Sequence, residues 1–320
     1  MIRLVNLGDN SEVIVQPQEL VNYSLRNVWL ELVDPAEEEI KAVSDLTQLP
    51  SDFLTLPLSN ALVNLRLEMC FTVLSFLVMQ DVIETRDVYP VILAFSKDLL
   101  VSVAPADIQP IIDAAKKRLV KAKIDPPPTV AYYIVDEIIA DNYLQIEKLE
   151  HFTSELEEDI LEKTRQETLK KIFSLKSNMV SFNKILWYER GIIFDVSKSG
   201  DTVCLSSKER FLFAETHEDL TRQIDIVETY REILSDAINV HLSAVSNKIN
   251  LSIQSLTVVI FYLTIVTTLT SFPNTVATFF GISQFGQTDV LIIAVALAVS
   301  IFLPFVWLWR KKWLKYEDKD

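Results

Sequence analysis

The last quarter of the chain holds two uncharged, mostly apolar stretches, Ile249 to Thr288 and Val290 to Trp309, parted by Asp289 and followed by Arg310, Lys311 and Lys312. An uncharged run of roughly 18 residues or more is what a bilayer-spanning helix requires, because the hydrocarbon core is about 30 Å thick and a helix rises about 1.5 Å per residue. The second stretch matches that length. The first is about twice as long as a span needs, so part of it must leave the bilayer or line something wet. The pair predicts a membrane protein rather than a soluble one with a buried helical hairpin.

Positive charge orients the spans. Lys248 precedes the first, and Arg310, Lys311, Lys312 and Lys315 follow the second, while the connector 281–289 holds no Lys or Arg. The positive-inside bias then puts both chain ends in the cytoplasm and the connector outside, in the cell membrane. Trp307, Trp309 and Trp313 flank the basic cluster as an interfacial aromatic belt. No cleavable signal peptide is expected at the start. Residues 249–320 hold five Lys/Arg against four Asp/Glu, net +1, so the total of -14 leaves -15 on residues 1–248. That acidic body argues against nucleic acid and anionic lipid surfaces as partners and raises the local cation concentration. Cys70 and Cys204 lack the spacing of a zinc site or a disulfide framework.

Before the spans, short Val-, Leu- and Phe-rich runs at Asn27–Leu32, Phe71–Phe76, Val91–Phe95 and Leu99–Val103 predict strands. Asp34-Pro35 followed by Glu37 and Glu38 predicts a helix capped by Asp34 with Pro35 at its first position, and Asp107–Val120 predicts another. Pro126-Pro127-Pro128 is expected to close an α/β domain over 1–128. Helical spacing without Gly or Pro from Thr129 to about Glu189 predicts two long antiparallel helices over 129–200, with Glu155, Glu157, Glu158 and Asp159 as a solvated face and Gly191 and Ser197–Asp201 marking the next break. A stalk helix over 201–250 runs on into the first span at 251–280. An external loop at 281–289, the second span at 290–309 and a basic tail at 310–320 complete the organisation. Glu209–Phe280 as one helix would be 72 residues, about 108 Å. Such a helix must pack along its length, and Ile224, Val227, Leu234, Ile238, Leu242, Val245 and Ile249 supply apolar contacts at helical intervals.

Projected at about 100° per residue, Asn239, Ser246, Asn250, Thr264, Thr268, Ser271, Thr275 and Thr278 fall within about 60° of Thr257, as do Glu228 and Glu232. Hydroxyls inside a bilayer must find partners or water. One helix cannot enclose water, whereas several copies around an axis can, with this stripe as a pore wall. The competing use of Ser and Thr is to bond back to their own helix or to join neighbouring helices. The membrane part of the stripe has no carboxylate, so a cation there would meet neutral oxygens and keep much of its water, which suits magnesium. Ile253, Ile260 and Phe261 point partly the same way and could close by dewetting.

These features resemble the CorA-type divalent metal ion transporters. The resemblance rests on two C-terminal spans after a very long helix, on Ser246-Asn247-Lys248-Ile249-Asn250, Leu263-Thr264-Ile265 and Pro273, on a Gly-centred motif at the outer end of the first span, and upstream on 29–35 and 136–143. It implies a funnel-shaped homopentamer: a cytoplasmic α/β domain, long helices, first spans lining a central pore and second spans around them. The family's outer Gly-Met-Asn signature corresponds to Gly281, Ile282 and Ser283, after Phe280 where Tyr is frequent. Serine is a shorter and weaker ligand to a hydrated ion than an amide carbonyl. An Asp ring that the family places low in the pore is replaced by Asn239. Either the distance from Asn250 to Leu263-Thr264 is about a heptad longer than in the family, or Leu256-Thr257 is the counterpart. The family's regulatory metal site uses carboxylates between subunits, and Glu215 and Glu218 fall at acidic positions of that region. His217 beside them is compatible with a softer metal, although a lone His is usually incidental.

The resemblance thus implies passive uptake of Mg²⁺, with Co²⁺ or Ni²⁺ tolerated. Divalent metal serves as substrate and regulator, with no prosthetic group; the partners are further copies of the chain and the bilayer. Alternatives are a zinc-selective or proton-coupled relative and, from another class, a non-conducting membrane-anchored oligomeric sensor. An enzyme is not expected, because the sequence carries no P-loop, no nucleophile with a base and no metal-hydrolase spacing.

Overall fold

The computed structural model describes residues 1–55, 64–68, 71–84, 87–119, 125–162, 166–199 and 205–279, with 286, 288–289, 291–292, 295, 298–299, 302 and 306. The chain divides into two compact units, Met1–His241 and Leu242–Asp320. The boundary expected at 128 falls inside the first.

The first unit is built on a seven-stranded sheet. In chain order its strands are β1 (Ile2–Asn6), β2 (Glu12–Val15), β3 (Val28–Val33), β4 (Asn64–Glu68), β5 (Phe71–Met79), β6 (Val88–Phe95) and β7 (Leu99–Ala104), arranged β2-β1-β3-β7-β6-β5-β4. Every neighbouring pair is antiparallel except β3 and β7, which run parallel with Val28 opposite Leu99. The four strands expected from sequence are β3, β5, β6 and β7. They are largely buried on both faces and therefore read as mostly apolar runs, broken only by residues such as Glu31, Thr72, Ser75 and Ser102. The other three were not expected: β2 (Glu-Val-Ile-Val) and β4 (Asn-Leu-Arg-Leu-Glu) are short edge strands, and β1 is only five residues long.

Strand alternation separates two cores. Trp29, Phe76, Val91, Leu93, Phe95 and Leu100 point to one face and pack with residues of the long helices. Leu30, Leu32, Ile92, Ala94, Val101 and Val103 point to the other, where helix α1 (Glu37–Thr47) contributes Val43. The indole of Trp29 donates to Ser102 Oγ at 2.7 Å, so the one polar atom of that ring is satisfied inside the core.

Helix α1 corrects one expectation. Its N-cap is Ala36, and the Glu39 carboxylate accepts both the Ala36 N–H (2.9 Å) and the chain's first amine (2.8 Å). Asp34 instead takes a left-handed φ of 41° and accepts the Ala106 N–H at 3.0 Å, tying the ends of β3 and β7 together.

The remaining helices are α2 (Gln109–Leu119), α3 (Pro127–Glu162), α4 (Gln166–Lys198) and α5 (Ser207–Phe279). The triple proline opens α3 rather than merely closing a domain, since proline fits a first helical turn where no N–H partner exists; the Pro126 carbonyl accepts from Thr129 and Val130. Gly191 lies inside α4 and does not end it; one glycine costs a helix only about 1 kcal/mol. The 73-residue α5 begins with a reciprocal cap, Ser206 N–H to Glu209 Oε2 (2.6 Å) and Glu209 N–H to Ser206 Oγ (3.4 Å). Glu209 also accepts from Thr129 at 2.7 Å, which pins the start of α5 to the start of α3.

Candidate functional site

Helix α5 carries nearly every site residue expected from sequence. In the first unit its buried side, with Phe213, Leu220, Ile224, Val227, Leu234 and Ala237, joins the core formed with α3 and α4. That burial ends at His241. Of the apolar contacts expected along the helix, Ile224, Val227 and Leu234 are buried and Ile238 is partly so, whereas Leu242 and Ile249 are exposed.

In the second unit α5 is exposed along its apolar length. Its most apolar eighteen-residue stretch has a mean hydropathy of 1.9 and none of it is buried; among the described residues no other helix is long and apolar enough to cross a membrane. Contiguous exposed apolar surface on this scale requires lipid or other protein. Of the second expected span, 290–309, only scattered positions are described, and Leu291, Ile292, Val295, Val299, Phe302 and Val306 are exposed.

The stripe residues Ser246, Asn250, Thr257, Thr264, Thr268, Ser271, Thr275 and Thr278 lie in this part of α5 and are exposed, as are the gate candidates Ile253, Ile260 and Phe261. Each threonine hydroxyl donates one turn back: Thr257 to the Ile253 carbonyl (2.8 Å), Thr264 to Ile260 (2.8 Å), Thr268 to Thr264 (2.7 Å), Thr275 to Ser271 (2.9 Å) and Thr278 to Asn274 (2.7 Å). The bond consumes the hydroxyl proton and leaves the oxygen lone pairs as acceptors. The row therefore presents acceptors, which suit a cation or the water hydrogens of its hydration shell. Thr267 and Thr270, on other faces, make the same bonds, so direction rather than bonding distinguishes the stripe.

In the first unit Asn239 is exposed on α5, and the stripe's continuation to Glu228 turns partly inward, since Glu228 accepts from Asn183 of α4 at 3.4 Å. Glu215 and Glu218 are exposed. His217 between them lies 5.4 Å from the Phe194 ring, and burial and then Arg190 push its pKa below the usual imidazole value. Among the described residues no three His, Cys, Asp or Glu side chains gather as a metal site within one chain. Gly281, Ile282 and Ser283 lie outside the described residues.

Sequence reasoning missed a buried polar group among the long helices. Asn142 of α3 donates to Glu189 of α4 at 3.2 Å, and Gln223 of α5 donates to the Ile139 carbonyl at 2.8 Å. Glu189 is wholly buried, and that burial pushes its carboxyl up to about 8, partly offset by the Asn142 bond. Nothing local distinguishes Glu189 from a surface Glu; its place on the inward face of α4 could have flagged it.

Known proteins share this architecture. Over 193 residues the chain is 31% identical to the cobalt/magnesium transport protein CorA of Thermotoga maritima, covering 57% of this chain and 52% of that protein. It is 25% identical over 185 residues to the cobalt/magnesium transport protein CorA of Methanocaldococcus jannaschii, 56% of either chain. The chain thus spans about half the length of the curated relatives it matches. The solved complete structure of the CorA magnesium transporter from Methanocaldococcus jannaschii superposes with a TM-score of 0.73 at 20% identity, over 97% of both chains, which establishes the fold. The family pattern described as CorA-like Mg²⁺ transporter protein matches residues 24–312, and the chain belongs to that family.

Proposed function

We propose that the chain forms a passive channel for divalent cations, with hydrated Mg²⁺ as the main substrate and Co²⁺ and Ni²⁺ admitted. Five copies surround a central axis, the α5 helices line it, and the second spans form an outer ring. Both chain ends lie in the cytoplasm and the 281–289 loop lies outside. The observation that carries this reading is the membrane-length apolar end of α5, none of whose most apolar stretch is buried, with its stripe threonines donating to their own backbone so that their oxygens remain acceptors. Neutral oxygens hold a hydrated ion without stripping it, which matches the reluctance of Mg²⁺ to shed water. Uptake needs no nucleotide: an interior-negative potential supplies about 2.3 kcal/mol per charge per 100 mV, and a divalent ion gains about twice that.

Ser283 would ring the outer entrance with Gly281 and Ile282, Asn239 would sit low in the pore, and Ile253, Ile260 and Phe261 would form the dry constriction. Cytoplasmic metal bridging Glu215 and Glu218 of adjacent copies would hold the pore closed; its loss would let like charges part and the constriction widen. In proteoliposomes under an inside-negative potential, Mg²⁺ should enter well above the rate of empty liposomes. Equal rates would overturn the proposal. The Gly-Ile-Ser sequence favours a second reading, a zinc-selective or proton-coupled transporter. Zn²⁺ outcompeting Mg²⁺, or flux that follows an imposed pH gradient, would establish it, and Ser283→Asn should then restore preference for Mg²⁺.

A further inference from the structure

One face of α4 is left exposed by the described residues of its own unit. Phe173, Val180, Trp187 and Phe194 recur every seven residues and are 58%, 50%, 47% and 45% exposed. A seven-residue period keeps them on one side of a helix, drifting by only about 20° per step. Their flanks are cationic. The Arg190 guanidinium lies 3.9 Å from the centre of the Trp187 ring, Lys184 lies 5.6 Å from Tyr188 and Lys198 lies 6.0 Å from Phe194. Asp195, exposed beside Phe194, is the one carboxylate in the 184–198 stretch apart from buried Glu189. At Gly191 an added Cβ would meet nothing within 4 Å, so the ridge has an open notch one turn after Trp187.

A second surface of the same compact unit is its complement. A cleft of about 470 Å³ between α2 and α3 is lined by apolar Pro110, Ile111 and Leu144 and by the carboxylates Asp107, Asp141 and Glu147. Lys148 also lines it, bonded to the Gln80 carbonyl (3.3 Å) and Gln145 (3.4 Å), and His151 stands beside it; the three carboxylates against one lysine leave the lining net acidic. Leu144 stands 55% exposed in it. A basic aromatic ridge and an acidic apolar cleft are opposite in charge and alike in apolar content. Because they are different patches of one subunit, their union is head-to-tail, the kind of contact that closes into a ring.

We propose that the α4 ridge of one copy docks into the α2–α3 cleft of the next copy, with Leu144 seated at the Gly191 notch and Arg190 facing the cleft carboxylates. The proposal rests on the oligomeric part of the functional reading above and is independent of whether the pore conducts.

The test uses the full chain in detergent with Cys70 and Cys204 replaced by Ser. Leu144→Cys combined with Gly191→Cys should, on mild oxidation, give a ladder of covalent oligomers, whereas either cysteine alone should give none. Gly191→Trp should leave the melting transition in place, because among the described residues nothing lies within 4 Å of an added Cβ, yet shift native mass toward monomer. Arg190→Glu should weaken assembly at least tenfold, with recovery on adding Glu147→Arg. An oligomer of unchanged mass with no double-cysteine ladder overturns the docking while leaving transport standing, since flux is read on the same preparation. A ladder from Gly191→Cys alone overturns it in favour of a symmetric contact. Lipid-dependent shielding of that cysteine from a water-soluble maleimide, without a ladder, places lipid on the ridge and overturns it as well. A monomeric parent protein removes the docking and the oligomeric reading together.

Discussion

Glu189 is the residue at which burial and charge conflict most openly. Its carboxyl sits between α3 and α4 with one bond from Asn142, and burial raises its pKa from 4.5 to about 8. A carboxyl raised in the folded state contributes its stability in full below the unfolded value, and that contribution declines as pH climbs through the folded value. Every tenfold gain in proton affinity on folding corresponds to about 1.4 kcal/mol, so a rise from 4.5 to about 8 puts roughly 5 kcal/mol at stake. Thermal melting should therefore weaken from pH 5 to pH 8 in the native protein. Glu189→Gln, which cannot ionise, should flatten that slope; an unchanged slope would assign the pH dependence elsewhere. Gly191, two residues on, is the opposite case: a sequence breaker that α4 absorbs at a cost of about 1 kcal/mol.

Helix α5 changes character at about His241. Before it, one side is buried against α3 and α4, and the apolar spacing is ordinary core packing. After it, apolar side chains face outward on every side and the hydroxyls bond to their own backbone. If the stripe lines a pore, Thr268→Leu or Thr275→Leu replaces an outward acceptor with a methyl-covered wall. Either should lower Mg²⁺ flux at least tenfold without changing oligomer mass. Thr270→Leu is the control: about 140° from Thr257 by helix geometry, it should leave flux within about twofold. Equal loss from all three would mean that the threonines serve the helix and not a passage.

At the scale of the whole molecule, the sheet and long helices belong to one compact unit, Met1–His241, and the apolar part of α5 to another. Among the described residues the two cores of the first unit draw on none beyond Ile238. A fragment of residues 1–241 should therefore stay soluble without detergent and melt cooperatively by circular dichroism. Aggregation, or a gradual melt, would show that the fold depends on the segment that follows.

Patterns that repeat along one element were legible in the sequence, because each is a local consequence of helix or strand geometry. The strands buried on both faces, the long unbroken α5 and the line of threonines all follow from residue order and period alone. The membrane-length stretch at the end of α5 required nothing more than counting uncharged residues. What lay beyond reach depended on which faces meet. Asp34 gave up the cap of α1 because the end of β7 lay close enough to offer the Ala106 N–H. The prolines before α3 continued a compact unit because the helix they open packs on the sheet. Glu189 became a buried acid only when α3 and α4 closed around it. Period shows which face of an element is buried, but what that face meets is a property of two surfaces brought together, and no single stretch of chain encodes it.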